Sequence, residues 1–356
     1  MNKGAIIYVL LACVIALFVS GFFVLDSIWN RGISEIGNIE FRSGRTIPPN
    51  PDLAATVSNN LLLEAAQPNE LDDYGTFSLG IPVSDNSGVI SLGSPQDPFV
   101  IQVRSTLSSP YTFLLKVFYN YKEVNFRVQG AEEYDSKFTF QLDANAAVNI
   151  PLQLSPSIES RNTNSRLTVA LVKSPEHFIV SDGRVREILW NTPGLALDFM
   201  IDYGYERSIV MDDASFEFSY ESEFFGFSIH TDPEPPGDGF LRSFGDHTLE
   251  VSSGEKVNLT FFANAHTVGI LDIDSYVIVS MLGWQQIDMN EEPFLLIDVP
   301  HPRIESGQHG HFSIFVPEEP GFYEFFALMA PNPMRANTYY NFLPLELHRF
   351  TLEVVN

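Results

Sequence analysis

One cysteine, Cys13, stands in 356 residues, so no disulfide can close within the chain. Whatever folds beyond it is held by packing, hydrogen bonds and ion pairs. Basic residues are also scarce: Lys and Arg number 20 against 45 Asp and Glu, a formal net charge of −25. A surface of that sign repels phosphates and anionic headgroups, so no nucleic-acid partner is expected. The familiar marks of catalysis are missing too. There is no Gly-x-Ser-x-Gly elbow, no Walker-type phosphate loop and no EF-hand spacing. The acids offer many accidental carboxylate pairs, but none is singled out by its spacing. The chain is read as a non-enzyme, with no catalytic residue, cofactor or metal ligand assigned.

Charge is also absent from Ala5 to Leu25, AIIYVLLACVIALFVSGFFVL, twenty-one residues in all. As a helix at ~1.5 Å per residue this stretch is about 31 Å long, matching the ~30 Å hydrocarbon core of a bilayer. A core helix of a soluble protein keeps a polar stripe, and this one has none. A cleavable signal peptide has a shorter apolar core and a small residue three places before the cut, where Phe18 stands here. Leu10-Leu11-Ala12-Cys13 has the look of a lipobox, yet Cys13 is followed by twelve more apolar or small residues. The stretch is therefore expected to be a signal anchor. Lys3 and the α-amino group precede it, whereas Asp26, Arg31 and Glu35 follow without a basic excess. The positive-inside rule places the N-terminus in the cytoplasm and the rest of the chain outside a single-pass membrane anchor.

Beyond the anchor, Leu25, Ile28, Trp29, Gly32, Ile33 and Ile36 recur at helical spacing, which predicts an amphipathic extension to about residue 39. Together with Lys3-Gly4-Ala5-Ile6, a basic residue and Gly just ahead of an apolar helix, this stretch resembles the N-termini of type IV pilin-like proteins cut by prepilin peptidases. The resemblance covers about forty residues. It implies processing after Gly4 and a stem packed in a filament core beneath a β-rich head. The Glu found five residues into many mature bacterial pilins is absent; Val9 stands there.

Residues 40–74 read as a linker, with three prolines in Arg45-Thr-Ile-Pro-Pro-Asn-Pro51. The texture then changes. Phe99, Ile101 and Val103 alternate with polar neighbours, as do Phe138, Phe140 and Leu142, then Val148, Ile150, Leu152 and Leu154, then Leu167, Val169 and Leu171. After a connection near 203–213 a second series follows. Phe216, Phe218 and Tyr220 read as one strand, and Val257-Leu259-Phe261, Tyr276 to Leu282, Phe312-Ile314-Val316, Phe322 to Met329 and Phe350-Leu352-Val354 as others. Period-two alternation predicts strands with one side in a core and the other in water. Thirty Phe and thirteen Tyr suit strands as well. The expected fold is all-β: two tandem immunoglobulin-like β-sandwiches, 75–205 and 206–356, after one N-terminal transmembrane helix. The halves also resemble each other, from Phe77-Ser-Leu against Phe227-Ser-Ile to Leu197-Asp-Phe-Met against Phe350-Thr-Leu-Glu.

Three features invite chemistry. His309-Gly-His311 puts two imidazoles on one face of a strand, with His301 nearby, an arrangement that would suit a transition metal. Because Phe312, Ile314 and Val316 claim the core side, the two histidines are expected on the outer face, solvated. Asp232, Glu234 and Asp238 share one loop, with Asp272 and Asp274 on another segment, a composition that would suit Ca²⁺. Both are left without an assigned ion. Asn258-Leu-Thr260 is a glycosylation sequon by pattern, set inside a predicted strand that makes it a poor acceptor. The function expected is a membrane-anchored binding or structural protein of the cell surface, meeting a protein or glycan partner. A filament or homo-oligomer is the assembly that the pilin-like stem implies.

Overall fold

The computed structural model of the chain describes residues 77–80, 89–158, 165–176, 194–203, 215–217, 220–222, 226–230, 248–264, 274–299, 307–334 and 346–356. The expected anchor and stem (1–39) and the linker (40–74) lie outside these. Among the described residues no helix is long and apolar enough to cross a membrane. Residues Ile47–Asn356 belong to one compact unit, and every regular element described in it is a strand.

The first ten strands are β1 (Phe77–Gly80), β2 (Val89–Ser91), β3 (Phe99–Ser105), β4 (Tyr111–Tyr119), β5 (Lys122–Glu123), β6 (Phe126–Val128), β7 (Lys137–Leu142), β8 (Ala147–Leu154), β9 (Ser165–Lys173) and β10 (Gly194–Asp202). They form a four-stranded sheet, β1-β3-β8-β6, and a six-stranded sheet, β2-β10-β9-β4-β5 with β7 also on β4. Eleven more follow: β11 (Ser215–Glu217), β12 (Tyr220–Ser222), β13 (Gly226–His230), β14 (Thr248–Ser252), β15 (Lys256–Asn264), β16 (Ser275–Leu282), β17 (Gln285–Ile287), β18 (Leu295–Asp298), β19 (Gly307–Phe315), β20 (Gly321–Pro331) and β21 (Glu346–Val355). These make a seven-stranded sheet, β11-β18-β16-β20-β21-β14 with β17 on β16, and a four-stranded sheet, β12-β19-β15-β13.

The two halves share a topology. In the first, β1 pairs antiparallel with β3, and in the second, β13 pairs antiparallel with β15. The next pairs parallel with the last strand (β2 on β10, β14 on β21). Both long central strands, β4 and β16, end in a two-residue turn with positive φ at each position: Asn120 (49°) and Tyr121 (64°), Gly283 (56°) and Trp284 (68°). That is the type I′ geometry that matches strand twist. The halves differ at their edges. The run Phe216 to Tyr220, expected as one strand, is divided between two sheets: β11 pairs parallel with β18 and β12 antiparallel with β19.

The sheets stack in four layers. One core, including Ile101, Phe113, Leu152, Val169 and Phe199, lies between the first four-stranded sheet and the six-stranded sheet. A second, including Leu259, Ile278, Ile314, Phe325 and Leu352, lies between the other two. A third joins the two large sheets face to face: Leu114, Phe118, Ala170, Val172 and Ala196 meet Val277, Val279, Phe294, Phe326 and Leu328. The large sheets are thus inner layers, and the expectation that each strand keeps one side in water fails for them. All nine residues of β9 are buried, as are seven of eight in β16. Near-continuous apolar runs such as Tyr276 to Leu282 are the mark of strands covered on both faces.

Charge enters this third core in compensated form. Arg166 on β9 lies 3.4 Å from Asp198 on β10. Thr168 Oγ1 and Tyr121 Oη each donate to that carboxylate at 2.9 Å. Across the boundary, Arg166 Nε donates to the Pro333 carbonyl at 3.0 Å and Nη2 to that of Asn332 at 3.4 Å. The second half returns the arrangement. Arg349 Nε donates to Glu324 Oε2 at 2.6 Å, and Thr351 Oγ1 donates to Oε1 of the same carboxylate. Arg349 Nη1 and Nη2 reach back to the carbonyls of Lys173 (3.1 Å) and Ser174 (3.4 Å). Each motif reads Arg-x-Thr on one strand with an acid on its neighbour, Thr168 facing Asp198 and Thr351 facing Glu324. The turn aromatics complete the contact. Trp284 lies under the Arg349 guanidinium at 5.0 Å and donates from Nε1 to the Pro175 carbonyl at 3.1 Å. Buried Lys116 pairs with Glu123 and donates to the Trp284 carbonyl at 2.8 Å.

Truncating Arg349 to Ala leaves Glu324 buried without its guanidinium. This should cost about 3–5 kcal/mol. Urea unfolding followed by fluorescence checks it, and Trp284 emission should shift because its ring loses the cation above it. A cost under about 1 kcal/mol, the worth of an exposed pair, would mean that the clamp is not buried in solution. Burial holds the Asp198 carboxyl above its ordinary range, against the opposing pull of Arg166, Thr168 and Tyr121. With the folded value above the unfolded ~3.9, this group's stabilising contribution is full below that value and is lost as pH rises through the folded one. The stability of the native protein relative to Asp198→Asn should therefore be greater at pH 4 than at pH 7. A difference that is flat or reversed between those two pH values counts against a raised Asp198.

Candidate functional site

The second outer sheet carries the histidines flagged by the sequence. In the β15–β19 register Lys256 faces Phe315, Asn258 faces Ser313, Thr260 faces His311 and Phe262 faces His309. Cross-strand partners share a face. The alternate set, including Leu259, Phe312 and Ile314, is buried in the core. The eight residues of the first set therefore line the outer face, as expected for His309 and His311.

The two imidazoles have separate engagements. Thr260 Oγ1 and His311 Nδ1 lie 2.9 Å apart. The His309 ring stacks on Phe262, with centroids 5.7 Å apart and planes at 25°. Among the described residues no three His, Cys, Asp or Glu side chains come together in a metal-like group. His301 lies outside the described residues. So do Asp232, Glu234, Asp238 and Asp272. Asp274 is described: its Oδ1 accepts from Ser275 Oγ at 2.9 Å. Glu132 and Glu133 are exposed loop residues, and Glu291 is an exposed turn residue.

One end of this face is open. Lys256, Asn258, His311 and Phe315 are exposed, whereas Thr260, Phe262 and Ser313 are buried. Phe315 is 60% exposed, with Lys256 Nζ 5.4 Å from its ring centroid. Beside it a cleft of about 310 Å³ is lined by Leu249–Ser252, Glu255–Asn258 and Val355. None of the eight outer-face residues is an acid, in a chain with 45. The open end thus offers a cation, an amide, an imidazole and an aromatic ring. These are groups that contact hydroxyls, carboxylates and apolar faces.

The first outer sheet has a similar exterior. Gln102 Nε2 donates to Asn149 Oδ1 at 3.2 Å, and Arg127 Nη2 donates to Gln153 Oε1 at 2.6 Å. The Arg127 guanidinium lies 4.9 Å from the Tyr134 ring centroid. Gln153 Nε2 in turn donates to the Gln96 carbonyl at 2.9 Å. Arg104 stands exposed at the other end of β3. Nothing in the local pattern of residues signals this face or Phe315. Both depend on which strands lie side by side, and the clue that remained was the absence of acids at alternate positions of β3, β8, β15 and β19.

No protein-family model matches the chain, and no curated protein matches it. Solved structures similar to it include red sea bream transglutaminase, at 10% identity and a TM-score of 0.21 over 79% of this chain and 31% of that one. The C-terminal domain of the AgI/II polypeptide BspA of Streptococcus agalactiae aligns at 7% identity and 0.22, over 78% of this chain and 100% of that one. The calcium binding domain CBD12 of CALX1.1 aligns at 8% identity and 0.20, over 73% and 83%. The chain spans about a third of the transglutaminase's length. At TM-scores near 0.2 these likenesses carry no argument about fold or activity, and what the chain does is inferred from its own residues.

Proposed function

We propose that this protein is a non-catalytic binding or structural component of the cell surface, held by one N-terminal helix and presenting its β body outside. The N-terminus is cytoplasmic, 40–74 is the linker, and the body comprises two tandem immunoglobulin-like sandwiches, 75–205 and 206–356. Support for that description of each half comes from a pair of consecutive strands, β1 and β2 or β13 and β14, that joins both of its sheets, the second of the pair lying parallel to the last strand.

The observation that carries the reading is the layering itself. Packing consumes both faces of the inner sheets, so only outer faces, edges and end loops are left to meet a partner. The outer faces hold amides, arginines, histidines and an exposed Phe, chemistry suited to a protein or a glycan. The net charge of −25 speaks against nucleic acid. Membrane attachment is supported by the charge-free stretch Ala5 to Leu25. Protease added to intact cells should release the β body as a soluble fragment. A body that survives alongside cytosolic markers, and is cut only after lysis, would reverse the orientation.

A second reading is favoured by Lys3-Gly4-Ala5 ahead of the apolar stretch. It makes the protein a pilin-like subunit whose first helix assembles in a filament core, with the β body as its head. Mass spectrometry of the mature N-terminus separates the two. A chain beginning at Ala5 is expected of the filament subunit, and a chain that keeps Lys3 and Gly4 removes it.

A further inference from the structure

We propose that Asn258 is an N-glycosylation site whose first sugar rests against Phe315 and Lys256. The proposal rests on the outward orientation argued above. Asn258-Leu259-Thr260 is the one Asn-x-Ser/Thr triplet in the 356 residues. It lies on β15, and a strand position excludes a glycan only where the side chain points into the core. Here it points out. Asn258 is exposed and opposite Ser313 on the outer face, and its side chain has no hydrogen-bond partner among the described residues. Its neighbours Leu259 and Thr260 are buried, so of the three only the acceptor faces solvent.

Two otherwise idle features adjoin it. Phe315 pairs with Lys256 and is thus the diagonal neighbour of Asn258 on the same face. Diagonal neighbours sit ~7–8 Å apart, within reach of an aromatic ring. Only Phe315 and Met334 are exposed large hydrophobics among the described residues, and Phe315 is 60% exposed. A pyranose has an apolar face of C–H bonds that can lie on such a ring, while Lys256, already over it, can donate to the sugar's hydroxyls. The adjoining cleft of about 310 Å³, with Glu250, Ser252 and Glu255 on its walls, is at the low end of the ~300–1,000 Å³ of small-ligand sites. It takes a single sugar unit and leaves the rest of the glycan in solvent.

The bond chemistry closes with a polyprenyl-phosphate-linked sugar as donor and a membrane glycosyltransferase as catalyst. Asn258 Nδ2 forms a bond to the anomeric carbon. The bond from that carbon to the phosphate oxygen breaks, and its electron pair leaves with the lipid phosphate. Nδ2 loses one proton to the enzyme's base. No oxidant or reductant takes part. Transfer occurs on the emerging chain, before β15 is enclosed between β19 and β13.

The test is peptide mass spectrometry on the full-length protein from its own cells, with surface protease release measured on the same culture. The peptide holding Asn258 should be heavier by one or more sugars. Asn258→Gln should abolish the added mass and Thr260→Ser should retain it. An unmodified Asn258 overturns the proposal. If the β body is released from those cells, the fault lies with the site and not with the topology. For the platform, Phe315→Ala should lower the thermal midpoint more in the glycosylated protein than in the Asn258→Gln background, and equal shifts would remove Phe315 from the proposal.

Discussion

The buried guanidinium groups of Arg166 and Arg349 set the terms for the rest of this molecule. A cation withdrawn from water must find an anion and enough acceptors to replace its hydration. Each arginine obtains the anion from its own half, Asp198 or Glu324, and carbonyl oxygens from the other. The apolar side chains between the inner sheets supply adhesion, but adhesion between two flat faces tolerates sliding. A planar fork aimed at fixed carbonyls does not. The hydrophobic layer brings the halves together, and the two reciprocal clamps select one register for them.

The near-duplicate topology explains why the clamps come as a pair. Equivalent strands bring equivalent strand ends to the boundary: Lys173 and Ser174 at the end of β9, Asn332 and Pro333 just after β20. Type I′ turns after β4 and β16 both put an aromatic residue there, Tyr121 on Asp198 and Trp284 beneath Arg349. The symmetry is incomplete where it matters least for packing. One arginine stands on the next-to-last strand of its half and the other on the last, and the outer edge strands β6 and β12 come from different parts of their halves.

What alternation could reveal, it revealed. Phe99-Ile101-Val103, Val148 to Leu154 and Phe312-Ile314-Val316 lie in outer sheets, where one face is wet and the period of two survives in the sequence. The inner strands lose that period because both faces are dry, so Tyr276 to Leu282 identifies a strand but hides its second neighbour. Nothing in the sequence singles out Arg166 and Arg349, since a lone arginine in a strand carries no mark of burial. Phe216 to Tyr220 alternates without a break, yet β11 and β12 join different sheets, because nothing local says which edge each piece will find. The same limit applies to the outer face. That His309 and His311 point outward was legible from the core residues beside them. Their companions Thr260, Phe262 and Lys256 lie about fifty positions away and become neighbours only through the β15–β19 register.

The parallel pairing of β2 with β10 has a mechanical side. Met200, Ile201 and Asp202 stand against Val89, Ile90 and Ser91 with both strands running the same way. Tension between the N-terminal side of β2 and the chain leaving β10 therefore pulls the two strands past each other along their length. The rungs between them are strained together and must fail together, whereas an antiparallel hairpin pulled at its open end gives way one rung at a time. The β14–β21 pair repeats the arrangement over five positions. Each half thus holds one pair of strands whose rungs would share a lengthwise pull between them.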